Sequence, residues 1–195
     1  MAPIVWWYNQ SMGRRSKREE RRSEIARAFA RVLASQGRGN ATIAAVATEA
    51  GLAQGLVHHY FSGKQDLYEA LLTELLAGFR RRMDAHPEAD PLDTYVDAAL
   101  ALDEQSDTVA ARAWVGILAE ALSDPSLFAK MRRVLDVEVA HIERRSRGSL
   151  STAHASAVVA FVLGALVFGA FAPRRAAGFA APSLRQMIAT LRTQR

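Results

Sequence analysis

A chain of 195 residues is long enough to bury a real core, as one compact domain or as a small module joined to a larger one. Half of it is hydrophobic and 23% is charged, which excludes a disordered or fibrous class. It has no cysteine, so a disulfide scaffold, thiolate-bound zinc and a thiol nucleophile are all excluded. Sparse aromatics, six prolines and twelve glycines suit helices better than the frequent turns of an all-β protein. The net charge of +5 is unevenly spread. Residues 1–64 carry 10 Lys/Arg against 4 Asp/Glu, whereas residues 65–195 carry 15 against 16. The basic excess thus lies in the first third, as expected if that third meets a polyanion. Residues 83–143 are acidic, and 144–195 hold 8 basic residues and no acid. For the arginines near Arg144, Arg145 and Arg147, a basic tail and a solvated helix face both stand open.

At the amino end, Pro3 to Tyr8 is apolar but lacks a basic leader, a long apolar stretch and a cleavage site, so no secretory signal is expected. Met12 is a candidate start, and 1–13 is set aside as a disordered extension. Behind the charged run Arg14 to Arg22, Ile25, Phe29, Val32 and Leu33 recur at helical spacing, up to Gly37 and Gly39. Thr42 can cap a short second helix, Gly51 can end it, and a third helix is expected over Gln54 to Tyr60. Ser62 to Gln65 has the form of a capping box before a long amphipathic helix carrying Leu67, Leu71, Leu72, Leu75 and Phe79.

Pro87 and Pro91 break the chain. Asp90-Pro91, Asp107 and Asp124-Pro125 each open a further helix, and Gly148 stops the last of these. Ser151 can cap an apolar helix reaching Ala172, and Ser183 to Arg192 makes a final short one. The expectation is an all-α protein of about nine helices. The stretch Ala153 to Ala172 is as long as a membrane span. Its late place in an amphipathic chain argues instead for a buried interface helix.

The segment TIAAVATEAGLAQGLVHHYFSGK, Thr42 to Lys64, carries the functional signal. Ala47, Gly51 and Val57 have the spacing of a helix-turn-helix. A small residue lets two helices cross, glycine accepts the left-handed turn, and an aliphatic side chain packs the second helix on the first. This run, with Gly55, Tyr60-Phe61, Lys64 and Leu67, resembles the DNA-binding region of the TetR family of transcriptional regulators over roughly Arg18 to Arg82. The stretch RAWVGILAEALSDPSL is similar to the carboxy-terminal domain of that family's choline/betaine-regulator subgroup.

The resemblance implies a three-helix head over 14–63, a connecting helix over 64–86 and a ligand-binding and dimerisation domain over 87–195. It also implies DNA contacts. Thr42 and Lys64 would meet phosphates, and Gln54 and Gly55 would open the recognition helix, where Gln54 can read adenine. His58 stands where the family has a phosphate-binding tyrosine. His59 and Tyr60 are candidates for base and phosphate contacts, and Ala53 replaces a capping serine.

No catalytic constellation is present. GxSxG, HExxH, P-loop and GxGxxG patterns are all missing. Adjacent His58 and His59 point about 100° apart on a helix and cannot chelate together, so no metal and no cofactor are expected. The reading is a cytoplasmic, ligand-responsive repressor that binds a near-palindromic operator as a homodimer. An all-α small-molecule enzyme and a membrane-tethered DNA-binding protein are the alternatives. The dimer face is placed on Ala160, Leu163, Gly164, Val167 and Phe168, where Ala160 pairs with Gly164 and Ala165 with Gly169. The effector pocket is placed on Tyr95, Trp114, Ile117, Leu118, Phe128 and Met131. Acidic surroundings and the ring of Trp114 favour a cationic or neutral apolar ligand, with double-stranded operator DNA as the other partner and no membrane.

Overall fold

Ser16 starts the first helix with a reciprocal cap. Its hydroxyl accepts from the Glu19 amide at 3.2 Å, and the Glu19 carboxylate accepts from the Ser16 amide at 2.9 Å. The computed structural model describes residues 16–85, 90–100 and 107–193. The expected extension 1–13, Arg14 and the break at Pro87 lie outside the described residues.

Helix α1 (Lys17–Asn40) is broken at Gly37, whose φ of 75° is open to glycine and costly to other residues. Thr42 caps α2 (Ile43–Ala50), accepting from the Ala45 amide at 3.1 Å. Gly51 closes α2 in the left-handed region, its N–H donating to the carbonyls of Ala47 and Thr48. Next come α3 (Gln54–Tyr60) and α4 (Lys64–Ala85). The expected capping box before α4 differs in its partner. The Ser62 amide donates to Asp66 at 3.2 Å, because α4 begins at Lys64 and its third residue is therefore Asp66. Gln65 donates instead to Asp124 at 3.3 Å.

Asp-Pro starts open α5 (Pro91–Ala99) and α7 (Pro125–Arg145), where Asp90 and Asp124 accept from backbone amides at 2.8 Å. Between them runs α6 (Asp107–Ala121). Ser151 caps α8 (Thr152–Phe171). The last helix, α9 (Pro173–Thr193), is twice the expected length and runs through Pro182. Pro182 is exposed, so the amide bond that it omits leaves the Gly178 region facing water rather than the core. All nine elements among the described residues are helices.

Two apolar cores hold them together. The first joins α1 to α4 with α6 and the start of α7, around Ile25, Phe29, Val57, Phe61, Tyr68, Ile117 and Leu127. The second joins α5, the end of α7, α8 and α9, around Tyr95, Val96, Ile142, Val158 and Leu184. Helix α6 packs on α1 on one side and α8 on the other. From α6, the Arg112 guanidinium donates to the Ala34 carbonyl at 3.0 Å and to the Ala170 carbonyl at 3.4 Å.

Neighbouring positions on α6 differ in what they can lose or gain. Ile117 is fully enclosed, so Ile117→Ala should lower stability by about 2–5 kcal/mol through transfer and cavity terms. At Gly116 a Cβ would sit 3.6 Å from a Leu33 methyl, an ordinary contact. Gly116→Ala should therefore raise stability by up to about 1 kcal/mol through helix propensity. Urea unfolding followed by circular dichroism measures both.

Candidate nucleic-acid interface

Helix α3 has seven residues, and its only buried one is Val57, pressed into the first core. Gln54, Gly55, Leu56, His58 and His59 are exposed. Only one aliphatic anchor is needed because Gly51 turns the chain sharply enough for α3 to lie across α2. The two histidines and Gln54 thus present their polar groups to solvent on a helix that is fixed from behind. A Cβ at Gly55 would meet no atom of the protein. Packing within the chain therefore does not require glycine at that position. Ala53 begins α3 without a side-chain cap, which leaves first-turn amides to an outside acceptor.

The end of α3 is held by arginines. Arg22 donates to the Tyr60 carbonyl and to Asp66 Oδ1 at 2.6 Å, and its guanidinium lies 4.2 Å from the Phe61 ring centroid. Arg18 stands 5.8 Å over the Tyr60 ring, whose other neighbour is the edge-on His59 ring at 5.1 Å. Phe61 is core. Thr42 uses its oxygen as the α2 cap and keeps its O–H for a further acceptor. Lys64 is half-buried as a residue, and its ammonium donates to the Arg38 carbonyl at 2.8 Å at the surface. Leu56, 39% exposed, shares the outward face and was missed by the pattern, since seven residues are too few to display a period.

The remaining sites fare differently. The six pocket candidates do not converge on one cavity. Trp114, Ile117, Leu118 and Met131 belong to the first core, Tyr95 to the second, and Phe128 is half exposed. Helical spacing puts residues on one face of a helix without saying which neighbour that face meets. Here α6 turns its face to α1, and α5 turns its own to α4 and α9. On α8, Ala160, Gly164, Val167 and Phe168 lie exposed and Leu163 is half-buried, with Phe171 80% exposed beside them. Ala165 and Gly169, by contrast, face the interior. Asp124 and Ser151 act as helix caps, and Glu120 pairs with Arg38 at 3.2 Å. Among the described residues no group of His, Asp or Glu is placed to hold a metal ion.

A three-helix head, an exposed short third helix and a basic first third define a helix-turn-helix DNA-binding protein. Residues 25–71 match the model of the bacterial regulatory proteins of the tetR family. It is 34% identical over 122 residues to the HTH-type transcriptional regulator BetI of Stenotrophomonas maltophilia. That alignment covers 60% of this chain and 61% of the relative's length. A transcriptional regulator from Rhodococcus sp. Rha1 shares the fold with a TM-score of 0.77 and 22% identity, over 87% of this chain and 95% of the other. A regulator from Saccharomonospora viridis, solved in complex with choline, shares it with a TM-score of 0.64 and 21% identity, over 88% and 94%. These relatives are regulators rather than enzymes.

The Arg22–Asp66 pair that holds the end of α3 titrates. Burial opposes ionisation of Asp66, but hydrogen bonds from Arg22 and the Ser62 amide, with the charges of Arg22 and Lys130, outweigh it. The carboxyl is therefore held below its ordinary value of 3.8. A depressed folded-state value means that the contribution is complete above the unfolded value and is lost as pH falls through the folded one. Between about pH 5 and about pH 3 the parent should lose stability, and Asp66→Asn should lose less over the same interval. Thermal melts at the two pH values measure this difference.

Proposed function

We propose that the chain is a ligand-responsive repressor that binds a near-palindromic operator as a homodimer in the cytoplasm. In this reading 14–63 is the DNA-binding head, 64–86 the connecting helix and 87–195 the ligand-binding and dimerisation domain. The observation that carries it is the outward face of α3, anchored from behind by Val57. Gln54 and Gly55 enter the major groove, His59 and Leu56 lie along base edges, and Thr42, His58, Tyr60 and Lys64 take phosphates. Lys64 reaches a phosphate only by sharing or leaving the Arg38 carbonyl.

Two heads about 34–36 Å apart fit successive grooves. Their spacing is set by α8 and α9, whose exposed Val167, Phe168, Phe171 and Phe179 are too apolar to face water alone. A Cβ at Gly164 meets nothing in the chain, so a second copy of α8 has room to approach there. Helix α8 is also the described helix long and apolar enough to cross a membrane. Its Ala155, Val158, Val162 and Ala165 pack inward in the second core, which supports the interface over a tether. A small effector, cationic or neutral and apolar, favours a head separation that no longer fits DNA, and choline in a structural relative supports the cationic class.

Selection of bound sequences from random DNA, followed by footprinting, tests the whole reading, and a chain that selects no sequence overturns it. On a selected operator, Lys64→Ala should weaken binding to all sequences alike and reduce the salt slope by about one phosphate. Gln54→Ala should instead lose about 1–3 kcal/mol of discrimination at one position per half-site. Variants that bind every operator like the parent would remove α3 from the groove.

Gly164→Glu should sediment as a monomer and bind operator at least about tenfold more weakly. A mutant that stays dimeric and operator-competent places the interface elsewhere.

A further inference from the structure

Glu120, in the last turn of α6, stands where α6 meets α1 and α4. Its carboxylate pairs with the Arg38 guanidinium of α1 at 3.2 Å. The phenol of Tyr68 on α4 faces the same group. Burial first, then the negative charge of Glu120, push that phenol well above its ordinary value and keep it protonated. Tyr68 is fully enclosed in the first core, so its ring is a fixed neighbour. The Glu120 side chain is 25% exposed, whereas that of Arg38 is 50% exposed. The carboxylate is therefore the anchored member of the pair, and the arginine is the member that it holds.

The backbone of Arg38 gives the pair its consequence. Its carbonyl accepts from the Lys64 ammonium at 2.8 Å, and that ammonium lies 6.0 Å from the Tyr68 ring centroid. Directly before Arg38, Gly37 leaves the helical conformation with a φ of 75°. The shaft of α1 therefore does not by itself fix where the Arg38 carbonyl points. The ion pair to Glu120 does. An ammonium has three donors; the carbonyl takes one, and two remain for a phosphate. At this exposure the pair adds little to stability, so what it contributes is direction.

We propose that Glu120 is a positioning residue for operator binding: through Arg38 it sets the carbonyl that aims the Lys64 ammonium, without itself touching DNA. This rests on the reading of Lys64 as a phosphate contact and assigns the aim of that lysine to a carboxylate of α6. The sign of the effect is diagnostic. Removing a negative charge beside a polyanion by itself strengthens binding, whereas loss of aim weakens it.

Fluorescence anisotropy with a selected operator, over a range of salt concentrations, tests the proposal, with thermal melts of each variant beside it. Glu120→Gln should melt close to the parent, bind operator about threefold more weakly at low salt and show a shallower salt dependence, as for one weakened phosphate contact. In a Lys64→Ala background the same substitution should have no further effect, because the group that it aims is gone. If Glu120→Gln folds poorly, Glu120→Asp keeps the charge, withdraws it by one methylene and gives the same comparison. Parent-like or stronger operator binding by the Glu120 variant overturns the proposal, as does an equal loss with and without Lys64. A chain weakened by Lys64→Ala but not by Glu120→Gln keeps its operator face and loses this role. If Lys64→Ala binds like the parent, the phosphate contact fails and the role of Glu120 fails with it.

Discussion

The burial of α6 between α1 and α8 is the constraint on which the rest of the molecule depends. Ile117 and Ala113 are fully enclosed, and Gly116 leaves room for Leu33 of α1. Arg112 then ties the same helix to a carbonyl near the end of α1 and to another near the end of α8. Backbone carbonyls at helix ends lack intrahelical donors, and a guanidinium supplies two of them from one side chain. The head and the late apolar helices therefore share one packed support. Glu120, at the far end of α6, pairs with Arg38 beyond the Gly37 break, so the support reaches past α1 to the approach of α2. A shift of α8 cannot leave α6 in place while α1 stays where it is, because side chains in a dense interior do not stretch.

The head was legible in the sequence because its constraints are local. Thr42, Gly51 and Gln54 mark helix ends by backbone chemistry, and the structure places those ends at the expected residues. The Asp-Pro starts of α5 and α7 are of the same kind. The last helix is longer than the expected Ser183 to Arg192 because an exposed Pro182 costs one solvent-facing bond while Ala180, Leu184 and Ile188 keep the helix on the core. The reciprocal cap at Ser16 and Glu19 has the same local signature, Ser-x-x-Glu, in the sequence.

What was not legible is long-range. Periodicity finds that Trp114, Ile117 and Met131 face inward, but only the arrangement of α6 and α7 decides that they face α1 and α4. The partner of Glu120 was invisible for the same reason, since Arg38 lies 82 positions earlier on another helix. The exposed face of α8 was foreseeable in composition, yet the division between Gly164 outside and Gly169 inside depends on where α6 and α9 lie.

The Gly37 break has a mechanical consequence. Upstream of it, α1 is pinned by buried Phe29, Val32 and Leu33; downstream, Arg38 to Asn40 are exposed, and their side-chain and tertiary contacts are polar ones to Lys64, Glu120, the Gln36 carbonyl and the Thr42 amide. A glycine swivel between a clamped shaft and a lightly tethered collar concentrates compliance at one point. Torque applied to α2 is then absorbed by rotation at residue 37, and the buried face of α1 keeps its register. The amide protons of Arg38 to Asn40 are accordingly the ones to exchange first with solvent, well ahead of those only a turn or two upstream in the same helix.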